Sequence, residues 1–462
     1  MTAQPSEGAL VAPVGASGTL RTHAARIPAG VIVALVAFAT SFVMWTLGNV
    51  ADSDFDPYRF GEMGRSIANG DAFEGYGSLI GRKGPLYPIV LGGVYMVFGE
   101  HDRIALLLHC ILFTATAVLA FDLGRRLFNQ RTAVIAGLLC AFHPLLLRYV
   151  PSLHLETVLT FLVTLMVWCT VRFYFDRSVL NGVLVGVTAG LATLTKAVML
   201  VYPAVFIVAL LLVIRSARKR GEAVAAPWGA MAAMLLALCA VIAPWTIRNY
   251  GTTGHFVPVS SGTSDAFLRG MIFSRTEFIT LQEPPYTIAE IESNELFARL
   301  AREAGTTWGR DDYETEQILN EEAKRVIREE PLKVARKTFV GLFTFWYQLT
   351  SFKNSLLVLA CAIGAWTLAV IGWRRARRDR LIVWPLLLPV LYLNIVLALL
   401  LALGRYSAPV LPALLVVSAF GADTLLDRWR TRHAPSAART VEGGQPTPLS
   451  SSTTSNTSPM AT

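Results

Sequence analysis

Ten apolar runs, most of them long enough to cross a lipid bilayer, divide this chain of 462 residues and leave it few folds to choose from. They lie at about 28–49, 103–122, 132–148, 154–173, 179–196, 198–214, 226–246, 355–373, 381–403 and 407–424. In hydrocarbon every backbone N–H and C=O must find a partner within the chain, so such runs predict helices packed as a bundle. Composition agrees, at 53% hydrophobic and 16% charged residues, too apolar for a soluble domain of this length. The expected fold class is an all-α polytopic membrane protein of about ten transmembrane helices, with amphipathic helices on the outer face and a small helical periplasmic subdomain.

The formal charge of +9 does not point to nucleic acid. The basic residues fall in short clusters between apolar runs, and no DNA- or RNA-reading motif accompanies them. With the N-terminus in the cytoplasm, Arg125/Arg126/Arg131, Arg172/Arg177, Arg215/Arg218/Lys219/Arg220, Arg374/Arg375/Arg377/Arg378/Arg380 and Arg428/Arg430/Arg432 all fall on the cytoplasmic side. That agreement predicts a multi-pass plasma (inner) membrane protein with both termini inside. Cys110, Cys140, Cys169, Cys239 and Cys361 sit within apolar runs, without a CxxC pair or a His at metal-ligand spacing, and read as packing residues.

This topology divides the chain into a cytoplasmic tail (1–27), a transmembrane module (28–246) with a first outer loop at 50–102, an outer subdomain (247–350), a second set of spans (351–425) and a disordered cytoplasmic tail (426–462). In the first loop Phe60, Met63 and Ile67 recur at helical spacing, predicting an amphipathic helix lying on the membrane surface. The segment 247–350 carries more acids than bases, as tolerated outside, and its helix-favouring middle is interrupted at Gly305 and Pro331.

The strongest chemical signal is the acidic trio Asp52, Asp54 and Asp56 at the mouth of the first span. Carboxylates are costly to desolvate there, so their presence asks for a reason. A DxD pattern can hold a metal-bound nucleotide sugar, a single carboxylate can act as general base, and Asp56 before Pro57 could simply cap a helix. The loop closes with GRKGPLYP, residues 81–88, where Arg82 and Lys83 precede a rigid turn containing Tyr87. Such fixed cations suit a lipid-linked phosphate; the alternative is an interfacial helix boundary.

Further ionisable groups lie at the same ends of other spans. Arg148, His154 and Glu156 occupy the turn HPLLLRYVPSLHLETV, where an Arg148–Glu156 ion pair is the bland alternative. Lys196 stands in an apolar context in ATLTKAVM, Arg248 in PWTIRNYG beside a belt-type Trp, and Arg405 with Tyr406 in GRYSAPVLP. Each alone is an interfacial anchor. Together Lys83, Lys196, Arg248 and Arg405 bring cations from four chain regions to the face that carries the acids. His109 reads as a packed residue, and Gly182, Gly186 and Gly190 at four-residue spacing read as a close helix contact.

Taken in order, the Asp-bearing first loop, RKGPLYP, an intramembrane Lys, PWTIRNY and GRYSAPVLP resemble the bacterial branch of the GT-C membrane glycosyltransferases. This is the protein O-mannosyltransferase and aminoarabinose transferase family, glycosyltransferase family 39. The resemblance spans about residues 28–425 apart from the outer subdomain. It implies transfer of a sugar from a polyprenyl phosphate donor to a lipid, glycan or protein hydroxyl on the periplasmic face. The family's acid lies about fourteen residues before a Gly, and counting back from Gly70 reaches Asp56, with Asp54 its competitor. Gly84 departs from the family pattern, which often has Pro there. The resemblance implies inversion with Asp56 or Asp54 as base, and Arg82, Lys83, Tyr87, Lys196, Arg248, Arg405 and Tyr406 on the donor side. Glu156 and His154 would line the sugar or acceptor side. No cofactor is required, with a divalent cation kept open. A multi-span transporter or lipid flippase is the alternative class.

Overall fold

The structure, a computed structural model, describes residues 28–48, 58–71, 83–275, 285–307 and 312–433. The acids Asp52, Asp54 and Asp56, the cation Arg82 and both tails lie outside the described residues. Among the described residues every regular element is a helix. Helices α1 (Ala29–Leu47), α2 (Phe60–Ala68), α3 (Leu86–Phe98), α4 (Asp102–Leu127), α5 (Gln130–Ala141), α6 (Pro144–Arg148), α7 (Glu156–Phe175) and α8 (Val179–Thr195) come first. They are followed by α9 (Tyr202–Lys219), α10 (Trp228–Thr253), α11 (Thr263–Phe273), α12 (Pro285–Glu303), α13 (Asp312–Glu329), α14 (Pro331–Thr344), α15 (Phe352–Arg378), α16 (Trp384–Leu399) and α17 (Leu411–His433). Among them are seven helices long and apolar enough to cross a membrane, plus four shorter apolar ones.

α17 is the centre of the bundle. Every residue from Leu411 to Phe420 is buried, as befits a helix apolar on all sides and surrounded by others. Gly372 of α15 and Gly421 of α17 face each other so closely that a Cβ at either would meet the partner's backbone. The Gly182, Gly186 and Gly190 series does the same between α8 and α10, with added Cβ atoms running into Ala230, Met234 and Val241.

The spans differ from expectation in three places. The run 132–148 breaks at His143, because Pro144 cannot donate into the preceding turn, and continues as the short α6. The run 381–403 ends as a helix at Leu399, leaving 400–403 outside any helix. α3 falls inside the expected outer loop. Tyr87, Leu91 and Tyr95 recur every four residues along it and are all buried.

α2 forms where the Phe60/Met63/Ile67 spacing predicts, yet its apolar face is not laid on a surface. Phe60 and Met63 are buried, and Gly64 packs against Leu91 and Tyr95 of α3. The pair is tied to the start of α4 through one carboxylate: Arg65 Nη2 and Tyr95 Oη both donate to Asp102 Oδ1 at 2.6 Å. At the opposite end of the bundle, Arg131 and Arg375 reach Asp427 at 3.0 and 3.4 Å, which brings three of the expected basic clusters together.

Because an added Cβ at Gly186 would meet backbone, Gly186→Val should cost about 1–3 kcal/mol or more and reduce the monodisperse fraction in size-exclusion chromatography. Gly93→Ala, where a Cβ meets nothing within 4 Å, should behave as wild type.

Candidate functional site

The site assembles where four distant segments end. Glu156 opens α7, its carboxylate buried by the bundle around it. It does not pair with Arg148 as the local spacing allowed; its Oε1 faces Arg405 Nε at 3.9 Å, from a segment near the end of the chain. Glu156 Oε2 is buried without a hydrogen-bond partner. Arg405 Nη2 donates to Tyr406 Oη at 2.8 Å. Lys196, in the break between α8 and a short 3-10 turn, places its Nζ 3.2 Å from the centre of the Tyr406 ring. Lys83 donates to the Tyr58 carbonyl at 2.6 Å and sits 5.3 Å from the Tyr58 ring, while Arg405 lies 5.0 Å from that same ring.

Gly84 explains how Lys83 enters this group. A side chain there would strike the Leu194 and Thr195 carbonyls at the end of α8, so only glycine lets the loop lie directly against the segment that bears Lys196. His154 packs edge-on against Tyr58 at 5.7 Å and near Tyr149 at 5.3 Å, with its Nδ1 buried and unpartnered. Burial, with the Arg148 charge second, pushes His154 down to about 4, so it is neutral at pH 7. Small cavities flank Glu156. One is lined by Phe113, Thr116, Tyr149 and Thr160, the other by Leu159, Val198, Leu393 and Leu397 together with Lys196 and Arg405.

Of the residues expected from sequence, the structure therefore brings together Lys83, Lys196, Glu156, His154, Arg405 and Tyr406. Tyr87 is buried beneath them. It shares a 3.0 Å hydrogen bond with His109 Nε2, and its ring stacks edge-on against Phe60. His109 is packed as expected, but with a defined polar partner. Arg248 lies 4.8 Å from the Trp245 ring. The belt reading of that tryptophan is corrected: Trp245 is buried and donates to the Val259 carbonyl at 2.8 Å, while Asn249 Nδ2 donates to Val257 and Val259. Much of PWTIRNYG thus anchors the chain beyond α10. Among the described residues no group of three or more His, Cys, Asp or Glu side chains could hold a metal ion.

Sequence reading gave two contributors no role of their own. Tyr58 stood out only as the aromatic four residues after Asp54. Lys337 stood in a charged helix with nothing to distinguish it, yet it is buried on α14, donates to the Leu399 carbonyl and lies 4.4 Å from the Phe267 ring. It thereby caps the open end of α16 just before the strap 400–403, which leads into Arg405. Gly404 N donates to Gln348 O at 2.6 Å, and Gly270 of α11 lies against the Leu400 carbonyl. The helices outside the bundle thus hold the strap that positions Arg405.

Residues 82–247 match the family described as dolichyl-phosphate-mannose-protein mannosyltransferase. The archaeal oligosaccharyltransferase AglB from Archaeoglobus fulgidus, in complex with an inhibitory peptide and a dolichol-phosphate, superposes with TM-score 0.54 at 14% identity, over 91% of this chain and 52% of that one. This is a GT-C glycosyltransferase fold. The apo form of the same archaeal enzyme gives TM-score 0.54 at 14% identity, over 89% of this chain and 52% of that one. ArnT from Cupriavidus metallidurans bound to undecaprenyl phosphate gives TM-score 0.40 at 17% identity, over 89% of this chain and 80% of that one. The chain described here spans about half the length of the archaeal enzyme. A search of curated proteins by sequence finds no match.

Burial pushes the Lys337 ammonium down to about 8 from its ordinary 10.5. Between those values the unfolded chain binds the proton that the folded site has released, so stability rises with pH across this window. Thermal midpoints of the full chain in detergent should therefore increase from pH 8 toward pH 10, and Lys337→Met should flatten that rise.

Proposed function

We propose that this GT-C chain transfers a sugar from a polyprenyl phosphate carrier to an acceptor hydroxyl, in the manner of the bacterial branch of the family. One observation carries the reading: Lys83, Lys196 and Arg405 come from separate regions of the chain to one place, where Glu156 is the single described carboxylate and apolar side chains line a cavity. A prenyl phosphate presents matching features, a compact anion on an apolar tail. The dolichol-phosphate bound to AglB, whose fold this chain shares, supports the reading. The acceptor is a lipid, glycan or protein hydroxyl.

In this mechanism Asp56 or Asp54 takes the proton from the acceptor O–H as its oxygen attacks the anomeric carbon from the face opposite the phosphate. The carbon–oxygen bond to phosphate breaks, and the electron pair leaves with the polyprenyl phosphate. Lys83, Lys196 and Arg405, with Arg82 and Arg248 in support, take up the charge that grows on that oxygen. Cations already placed by the fold reorganise little as the charge develops, so they stabilise the transition state more than the ground state. Glu156, whose Oε2 lacks a hydrogen-bond partner, would accept from a sugar hydroxyl, and neutral His154 would face the same side. The helices α11–α14 beside the strap would meet the acceptor. The reaction would occur on the periplasmic face of the inner membrane, with both termini in the cytoplasm. It needs no cofactor, since the fixed cations supply the charge a divalent metal would otherwise bring.

Purified protein given a labelled polyprenyl phosphate sugar should consume the donor. Asp56→Asn or Asp54→Asn, assayed separately at normal expression, should lower turnover about 100-fold or more in one of the two. Full activity in both variants would sink the base assignment, and solute uptake without donor turnover would favour a transporter.

A further inference from the structure

The cations of the candidate site share an arrangement that the transfer chemistry alone does not require. Each is presented by an aromatic ring. Lys196 lies on Tyr406, Arg405 lies 4.8 Å from Tyr406 and 5.0 Å from Tyr58, and Lys83 lies 5.3 Å from Tyr58 and 5.2 Å from Phe60. The negative face of a ring holds a cation without taking its charge away, and Arg405 adds to this the Glu156 carboxylate at 3.9 Å. Tyr58 is the ring common to Lys83 and Arg405, which are more than three hundred residues apart in sequence. Its backbone carbonyl also accepts from Lys83, and His154 closes on its edge.

The backbone beside Tyr58 marks the placement as imposed. Arg59 has φ 57, in the left-handed region, one of two non-glycine residues with positive φ among those described. A side-chain-bearing residue stays in that region only when its surroundings demand it. Here the turn at Arg59 lets Tyr58 and Phe60 both face Lys83, with their ring centres 5.9 Å apart, just before α2 begins.

We propose that Tyr58 is a positioning residue of the donor site, its ring setting Lys83 and Arg405 at the spacing that lets both meet one lipid-linked phosphate. The inference rests on the donor reading above and extends it to a residue with no direct chemistry of its own. Tyr58 acts through the face of its ring, so the hydroxyl is dispensable and the aromatic face is not.

The test compares binding of a polyprenyl phosphate with that of the matching uncharged polyprenol, using the full-length protein in lipid nanodiscs. Wild type should prefer the phosphate lipid; no preference would overturn the donor reading itself. Given that preference, Tyr58→Leu should weaken phosphate-lipid binding about tenfold while leaving polyprenol binding unchanged, and Tyr58→Phe should stay within about twofold of wild type. Unchanged phosphate-lipid binding in Tyr58→Leu overturns the positioning role. So does a loss shared equally by both lipids, which would mark a general packing role, or a loss in Tyr58→Phe as large as in Tyr58→Leu.

Discussion

Charge held out of water must be matched by something, and at this end of the bundle that requirement governs the architecture. Moving an ion from water into a protein interior costs several kcal/mol even after relaxation. Glu156 and Arg405 are both largely buried, with side-chain exposures of 5% and 16%, and each offsets part of the other's desolvation. Removing either would take a close opposite charge from the other. The first turn of α7 and the start of the last helical segment are therefore bound to one arrangement, although some 250 residues separate them.

Close backbone approach makes that arrangement reachable. Gly84 lets the Lys83 turn lie on the end of α8, Gly182, Gly186 and Gly190 let α8 nest against α10, and Gly372 with Gly421 seats α17 against α15. Apolar burial drives no specific pairing between helices that already face lipid, so packing at small residues and hydrogen bonds decides which helices meet. The helices outside the bundle extend this control. Lys337 caps α16, and Gln348 receives Gly404, so the strap carrying Arg405 is fixed from both sides. A change in α11–α14 on meeting another molecule has a direct physical path to Arg405.

Much of the fold was legible in the sequence because membrane helices are written in long runs of one chemical type. The failures have specific causes. α3 was missed because at 13 residues it is shorter than a spanning run, and its buried Tyr87, Leu91 and Tyr95 register appears only once α2 lies against it. The break at His143 and the end of α16 at Leu399 were hidden because apolar composition continues past both. Within the site, Lys196 and Arg405 stood out as ionisable residues in apolar surroundings, and Glu156 for the same reason. Tyr58 and Lys337 did not, since a tyrosine in a loop and a lysine on a charged helix are ordinary in any sequence.

By itself the sequence determined an all-helical chain rich in spans long enough to cross a membrane, and it singled out a short set of polar residues in apolar surroundings. Those follow from composition and spacing along the chain, which the transfer energetics of each side chain read locally. Only the tertiary structure decided which partners those residues have: Glu156 with Arg405 and not Arg148, Lys196 on Tyr406, and Lys83 with Arg405 on the one ring of Tyr58. Such pairings depend on separations of a few ångströms between segments hundreds of residues apart, and these are set by helix packing, which no local pattern encodes.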